Sequence, residues 1–166
     1  RRVALIGAGG AGWAVAMAVA RAGARSLAIL NRTAEKAEEL AGAVIRLTAM
    51  EAVVPLHLTG VEAQEAVESA DVVVDCTSVG MHPDVKGPPV VPPEWLHAGQ
   101  TVCDLTYNPR DTVLLRAARA RGAATVDGTG MLVHQGAIAF EIWTGRAAPV
   151  EVMREALLSA LDPPRR

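Results

Sequence analysis

Gly7-Ala8-Gly9-Gly10-Ala11-Gly12 is the stretch that decides the reading of this 166-residue chain. It follows Val3-Ala4-Leu5-Ile6, a short apolar run that reads as a buried strand. It leads into Trp13-Ala14-Val15-Ala16-Met17-Ala18-Val19-Ala20, which reads as a helix. Gly7, Gly9 and Gly12 fill the glycine places of G-x-G-x-x-G, and the strand-to-helix context separates the match from chance. Gly7 permits a tight turn, Gly9 leaves a pyrophosphate room against the backbone, and Gly12 lets the helix pack close. The free N–H groups at the start of the helix then face the phosphates, and the helix dipole favours their charge. The bland alternative is a Gly-rich turn that binds nothing.

Working outward, strands and helices alternate. The first helix runs to about Ala22, with Gly23 as its cap, and Ser26–Leu30 is a second strand. Thr33 is placed to cap a helix that starts at Ala34 and continues past Gly42 towards Met50. Val53–Leu58 is a third strand. Pro55 cannot donate to a ladder, so this strand belongs at a sheet edge. A helix over Val61–Ser69 precedes a fourth strand, Asp71–Thr77. Residues 78–100 are rich in Pro and Gly and read as a loop with a helical turn near Glu94-Trp95-Leu96. A strand at Thr101–Leu105, a helix from Thr112 to Arg121, a strand at Ala124–Asp127, and helices over Met131–Trp143 and Pro149–Leu161 complete the pattern. This alternation predicts an α/β fold: a three-layer, doubly wound, mainly parallel sheet of strand order 3-2-1-4-5-6, with helices on both faces.

Apolar residues make up 51% of the chain and aromatics 3%, so the core has to be built from Ala, Val, Leu and Ile. A net charge of −2 argues against a general nucleic-acid or membrane-surface binder. No run is long enough to span a bilayer and no secretion signal is visible, so a cytoplasmic location is expected. Cys76 and Cys103 each sit near the end of an apolar strand and read as buried reduced thiols. The four histidines are scattered without metal-ligand spacing, and no metal site is expected. Arg1-Arg2-Val3 opens almost directly into the first strand, so the expectation is a fragment whose preceding domain is absent.

The end of the second strand selects the cofactor. An Asp or Glu there would hold the ribose hydroxyls of NAD, whereas a cation accommodates the 2′-phosphate of NADP. Here Arg32 lies at that position without an adjacent acid, and Lys36 follows one helical turn on. The pattern favours NADP. The alternative is a pair of solvated surface cations.

Taken together, the glycine loop, Asn31-Arg32-Thr33, Thr77-Ser78-Val79-Gly80-Met81, Asp104-Leu105-Thr106-Tyr107-Asn108-Pro109 and Asp127-Gly128-Thr129-Gly130-Met131-Leu132-Val133-His134-Gln135-Gly136-Ala137 resemble shikimate dehydrogenase, as does Phe140-Glu141-Ile142-Trp143-Thr144-Gly145. The resemblance covers nearly the whole chain but only the family's C-terminal, cofactor-binding domain. It implies a Rossmann-like domain of an enzyme that reduces 3-dehydroshikimate with NADPH in aromatic amino-acid biosynthesis. It also implies roles for individual residues. Gly9, Gly10 and Ala11 would hold the pyrophosphate, and Asn31, Arg32 and Thr33 the adenosine phosphate. Thr77, Ser78, Val79 and Met81 would lie along the cofactor, with Gly130 and Met131 near the nicotinamide. Tyr107 and Gln135 would contact substrate, although each also fits an ordinary half-buried or exposed residue.

Two departures stand out. Family members commonly carry Asn where this chain has Asp75, and an ionised Asp75 would add negative charge near the nucleotide. Trp13 is bulky for the first helical turn. The family's catalytic Lys and Asp lie in its N-terminal domain. Lys36 and Lys86 are the only lysines here, and neither sits in a comparable motif. No catalytic residue is therefore assigned, and the substrate pocket is expected to be shared with the absent domain. A quinate or shikimate-like dehydrogenase domain, a non-catalytic nucleotide-binding module and a homodimer all stay open at this level.

Overall fold

The computed structural model describes residues 1–161. Six strands, β1 (Arg2–Ile6), β2 (Ser26–Asn31), β3 (Val53–His57), β4 (Val72–Asp75), β5 (Thr101–Asp104) and β6 (Ala124–Val126), form one sheet. Its order is β3-β2-β1-β4-β5-β6 and every pair is parallel. This is the doubly wound order expected from the sequence. Pro55 lies on the outermost strand opposite Ile29, where its missing N–H costs no ladder bond on the open side.

Among the described residues six helices accompany the strands: α1 (Gly10–Arg21), α2 (Ala34–Leu47), α3 (Val61–Ser69) and α4 (Val113–Ala120) lie between strands, and α5 (Thr129–Thr144) and α6 (Val150–Leu161) follow β6. Alternate residues of each strand feed opposite faces of the sheet. Val3, Leu5, Leu27, Ile29 and Val74 pack against Ala16 of α1 and Ala37, Leu40 and Val44 of α2. Ala4, Ile6, Val73 and Val102 pack against Ala63 and Val67 of α3 and Leu114, Leu115 and Ala118 of α4. The core is thus aliphatic, as the composition requires. Trp13 is half-buried against the first of these clusters, which accounts for its bulk.

Some boundaries differ from the sequence reading. α1 starts at Gly10, three residues before Trp13, because the glycine turn itself forms the first helical turn. α2 does pass Gly42 and stops at Leu47. Thr33 occupies the N-cap position of α2, but its side chain makes no cap bond. α5 starts at Thr129 rather than Met131. Only Thr129, Val133 and Ala137 of α5 are buried, and α6 has no buried residue. Ile138, Ile142, Trp143 and Val152 lie 60–83% exposed. The thiols of Cys76 and Cys103 are free but only half-buried, more open than expected. Among the described residues, no helix is long and apolar enough to cross a membrane.

Candidate functional site

Where the strand order reverses, the carboxyl ends of β1, β2 and β4 open onto a cavity of about 680 Å³. Open α/β sheets bind ligands at such a switch point. Gly7, Ala8 and Gly9 line it from the turn after β1. Asn31, Arg32, Thr33 and Lys36 line it from the end of β2 and the start of α2, and Cys76 to Gly80 from the segment after β4.

The glycines divide the work as their positions predict. Gly7 adopts φ +97°, a conformation that side-chain-bearing residues rarely take. A Cβ at Gly12 would lie 2.0 Å from the carbonyl oxygen of Gly7, so the close approach of α1 to the turn depends on glycine there. A Cβ at Gly9 would meet nothing within 4 Å, which leaves ligand-sized space against the backbone. Gly9 is the N-cap of α1, and its carbonyl accepts from the N–H of Trp13 at 2.9 Å. The N–H groups of Gly10, Ala11 and Gly12 precede the first intrahelical bond and have no acceptor within the helix. No carboxylate stands in that first turn. The result is a dipole end and donors ready for an anion.

Asn31 ties the turn to β2. Its Oδ1 accepts from the N–H of Ala8 at 3.1 Å and its Nδ2 donates to the carbonyl of Thr33 at 2.9 Å. Arg32, Thr33 and Lys36 are exposed along the cavity. After β4, the N–H of Thr77 donates to Asp75 Oδ1 at 2.8 Å, and the N–H of Val79 to Thr77 Oγ1 at 3.1 Å. These two local turns set the shape of that wall.

The sequence reading missed one wall. Asp84 and Gly87-Pro88-Pro89-Val90 also line the cavity, so the Pro-rich loop after β4 folds back over the site. Its position after a strand next to the switch point was the available signal.

Several residues singled out in the sequence do not line this cavity. Gly10, Ala11 and Gly12 sit in the first turn of α1. Met81 is exposed, with its N–H on the carbonyl of Ser78 at 3.2 Å. Tyr107 is half-buried just after β5. Gly130 and Met131 open α5 after β6, and Gln135 lies one turn beyond Met131 on the same side of the helix. Met81, Tyr107, Gly130, Met131 and Gln135 all sit past the carboxyl ends of their strands. The carbonyl of Asn108 accepts from the N–H of His82 at 2.9 Å, which links the loops after β4 and β5.

Two buried carboxylates stand at the carboxyl ends of β4 and β5, one of them next to the cavity-lining Cys76. Asp75 and Asp104 face each other in register across β4 and β5, each 1% exposed. Burial, and then the Asp104 charge, push the Asp75 carboxyl up to about 7, against the hydrogen bonds from Thr77. Burial also raises Asp104, against bonds from Thr112 and Thr106. The Cys76 thiol is pushed up to about 12 by burial and then by Asp75, Asp104 and Cys103, so it is a thiol and not a thiolate at neutral pH.

The family profile described as Shikimate / quinate 5-dehydrogenase matches residues 1–85, just over half of the chain. This chain belongs to the shikimate/quinate dehydrogenase family. The profile for the Shikimate 5′-dehydrogenase C-terminal domain matches residues 128–158 as well. The shikimate dehydrogenase (NADP+) of Moorella thermoacetica is 47% identical over 161 residues, which is 97% of this chain and 54% of that protein. A shikimate dehydrogenase solved in complex with NADP+ superposes with a TM-score of 0.87 at 37% identity, covering 96% of this chain and 54% of the other. The quinate dehydrogenase of Corynebacterium glutamicum, solved with NAD, also gives 0.87 at 38% identity, covering 95% and 54%. The chain spans about half the length of the curated relatives it matches.

Proposed function

We propose that this chain is the NADP-binding domain of a shikimate dehydrogenase that reduces 3-dehydroshikimate to shikimate. The observation that carries the choice of cofactor is Arg32, which lies on the cavity at the end of β2 with no acid in its place. The cavity fits the group on independent grounds: bare backbone space at Gly9, free donors in the first turn of α1 and two cations on one rim.

In this reading the backbone at Gly9, Gly10 and Ala11, where the cavity meets the start of α1, holds the pyrophosphate. Arg32 clasps the 2′-phosphate through its planar fork, with Lys36 adding charge from the first turn of α2. Asn31 keeps the turn and the rim in register through Ala8 and Thr33. Thr77, Ser78, Val79 and Met81 run along the dinucleotide, and Gly130 and Met131 flank its nicotinamide end. The bound cofactor supplies the hydride for carbonyl reduction. Tyr107 and Gln135 reach the substrate from this side. The proton for the nascent alkoxide comes from a second, substrate-binding domain, where the resemblance to shikimate dehydrogenase puts the catalytic Lys and Asp.

Ile138, Ile142 and Trp143 offer an exposed apolar face on α5, which in this reading packs against that domain. A cytoplasmic location follows from the reading and accords with two free thiols. The test is NADP+ reduction driven by shikimate and by quinate, using the chain joined to its substrate domain, beside calorimetry with NADPH and NADH. Turnover with shikimate and preference for NADPH are expected. Failure of both dinucleotides to bind the folded protein overturns the reading.

A further inference from the structure

Asp75 and Asp104 are neighbours across β4 and β5, and the protein core offers neither of them water. Two carboxylates so placed do not both stay ionised without a compensating cation. Their hydrogen bonds say which one keeps the charge. Asp104 is surrounded as an anion: Oδ1 accepts from the N–H of Thr106 at 2.8 Å and Oδ2 from the hydroxyl of Thr112 at 2.7 Å. Asp75 has one acceptor in use, Oδ1 on the N–H of Thr77, while its Oδ2 is buried without a hydrogen-bond partner. An oxygen with no donor facing it is where a proton costs least to keep.

The surroundings add no positive charge. From β5, Asp104 is the charged group that acts on Asp75, and Thr112 at the head of α4 contributes a neutral hydroxyl to that carboxylate. Just past β4 the next titratable group is the Cys76 thiol, which Cys103 of β5 also influences. From β1, the residue in register with Asp75 is Ile6.

We propose that Asp75 is a positioning residue that works as a neutral acid: it shapes the Thr77–Val79 wall without placing charge behind it, and its ionisation lowers the affinity for anionic dinucleotide. The proposal rests on the nucleotide-binding reading above. The carboxyl is raised to about 7, so the change falls in the neutral range. Its sign follows from linkage. The folded state holds this proton more tightly than the unfolded chain, whose carboxyl titrates near 3.8. The contribution to stability is therefore full below about pH 4, declines as pH rises, and is gone above about 7.

The experiment compares the full chain with Asp75→Asn, which keeps the shape and removes the titration. Thermal midpoints without ligand are followed from pH 5 to pH 9, and NADPH affinity is measured near pH 6 and pH 8.5. The wild type should lose roughly three- to tenfold more affinity across that interval than Asp75→Asn, the range a unit charge a few ångström from a phosphate produces when it is screened almost as in water. The variant should also lose the decline in thermal midpoint. The 2′-phosphate titrates equally in both proteins and cancels.

Parallel pH profiles for the two proteins overturn the proposal. If Asp75→Asn does not fold, ¹³C NMR of the Asp carboxyls in the wild type decides, and an Asp75 midpoint below pH 5 sinks it. Absence of NADPH binding at every pH, alongside the expected stability profile, overturns the nucleotide reading and leaves the proton on Asp75 established.

Discussion

The carbonyl oxygen of Gly7 occupies the place that a Cβ on Gly12 would need, 2.0 Å away, whereas a Cβ on Gly9 would touch nothing. One loop thus contains a glycine required by packing and another required by its ligand. Gly12→Ala should destabilise the fold by about 2–3 kcal/mol, because a backbone carbonyl and a helix must move apart. Gly9→Val should leave the thermal midpoint near its starting value and abolish NADPH binding. Denaturant melts with calorimetry check both. A folded Gly9→Val protein with unchanged affinity would reduce the loop to a turn.

Arg32 and Asn31 are adjacent, yet they should fail differently. Arg32 is an exposed cavity cation, so Arg32→Ala should cost NADPH about 1.5 kcal/mol, the low end for a charge-assisted contact, and leave NADH nearly unchanged. Asn31 braces Ala8 and Thr33, so Asn31→Ala should weaken both dinucleotides alike. Equal losses for NADPH and NADH in Arg32→Ala would refute the assignment of Arg32 to the 2′-phosphate.

What could be read in the sequence was whatever local chemistry dictates. The glycine spacing, the apolar runs and Pro55 determined the strand order, since each constrains its own backbone. Arg32 was legible because the second strand places it on the rim whatever the rest of the chain does. The start of α1 was misplaced because glycine is a poor helix former, yet the turn at Gly10 is held by the carbonyl of Gly9. The wall formed by Asp84 and Pro88-Pro89-Val90 was invisible because its position depends on tertiary contacts, not on any periodicity. Asp75 was noticed as an unusual residue. Its pairing with Asp104 required the register of β4 and β5, which residues 29 positions apart do not announce.

Thr112 joins that buried pair to α4. Its hydroxyl donates to Asp104 Oδ2 at 2.7 Å and accepts from the N–H of Leu115 at 3.2 Å. Thr112→Ala removes a helix cap and deprives a buried carboxylate of a donor. The expected loss is about 2 kcal/mol or more, with Thr112→Ser restoring most of it. Denaturant midpoints at constant m-value would check this, and a loss below about 0.5 kcal/mol would show that the hydroxyl is dispensable.

Asp71 gives an acid-side counterpart to Asp75. The N–H of Arg2 donates to its Oδ2 at 2.8 Å and the Arg2 guanidinium to Oδ1 at 3.1 Å. The backbone bond first, and then the side-chain bond, bring its carboxyl down to about 2 from 3.8. The folded state therefore releases this proton more readily than the unfolded chain. Its stabilisation is complete above about pH 4 and disappears as pH falls towards 2. Asp71→Asn should be less stable than the wild type at pH 7 and indistinguishable from it near pH 2. A constant difference between the two across that range would contradict the linkage.

The outer face of α5 makes the last prediction. Trp143 is 83% exposed and Ile142 75%, while the buried stripe of the same helix is Thr129, Val133 and Ala137. Large apolar side chains on the open side contribute little to the fold of this domain, so Ile142→Lys with Trp143→Glu should change its stability by no more than about 0.5 kcal/mol. If that face packs against a substrate domain, the same pair should weaken association with it by tenfold or more, since buried aromatic anchors dominate such contacts. NADP+ reduction with shikimate should fall in parallel, while NADPH affinity of the domain alone stays as it was. Analytical ultracentrifugation of the two domains expressed separately, together with the coupled assay, reads each quantity independently. Unchanged association in the double variant would move the docking face elsewhere. Turnover by these 166 residues alone would place the proton donor inside this chain.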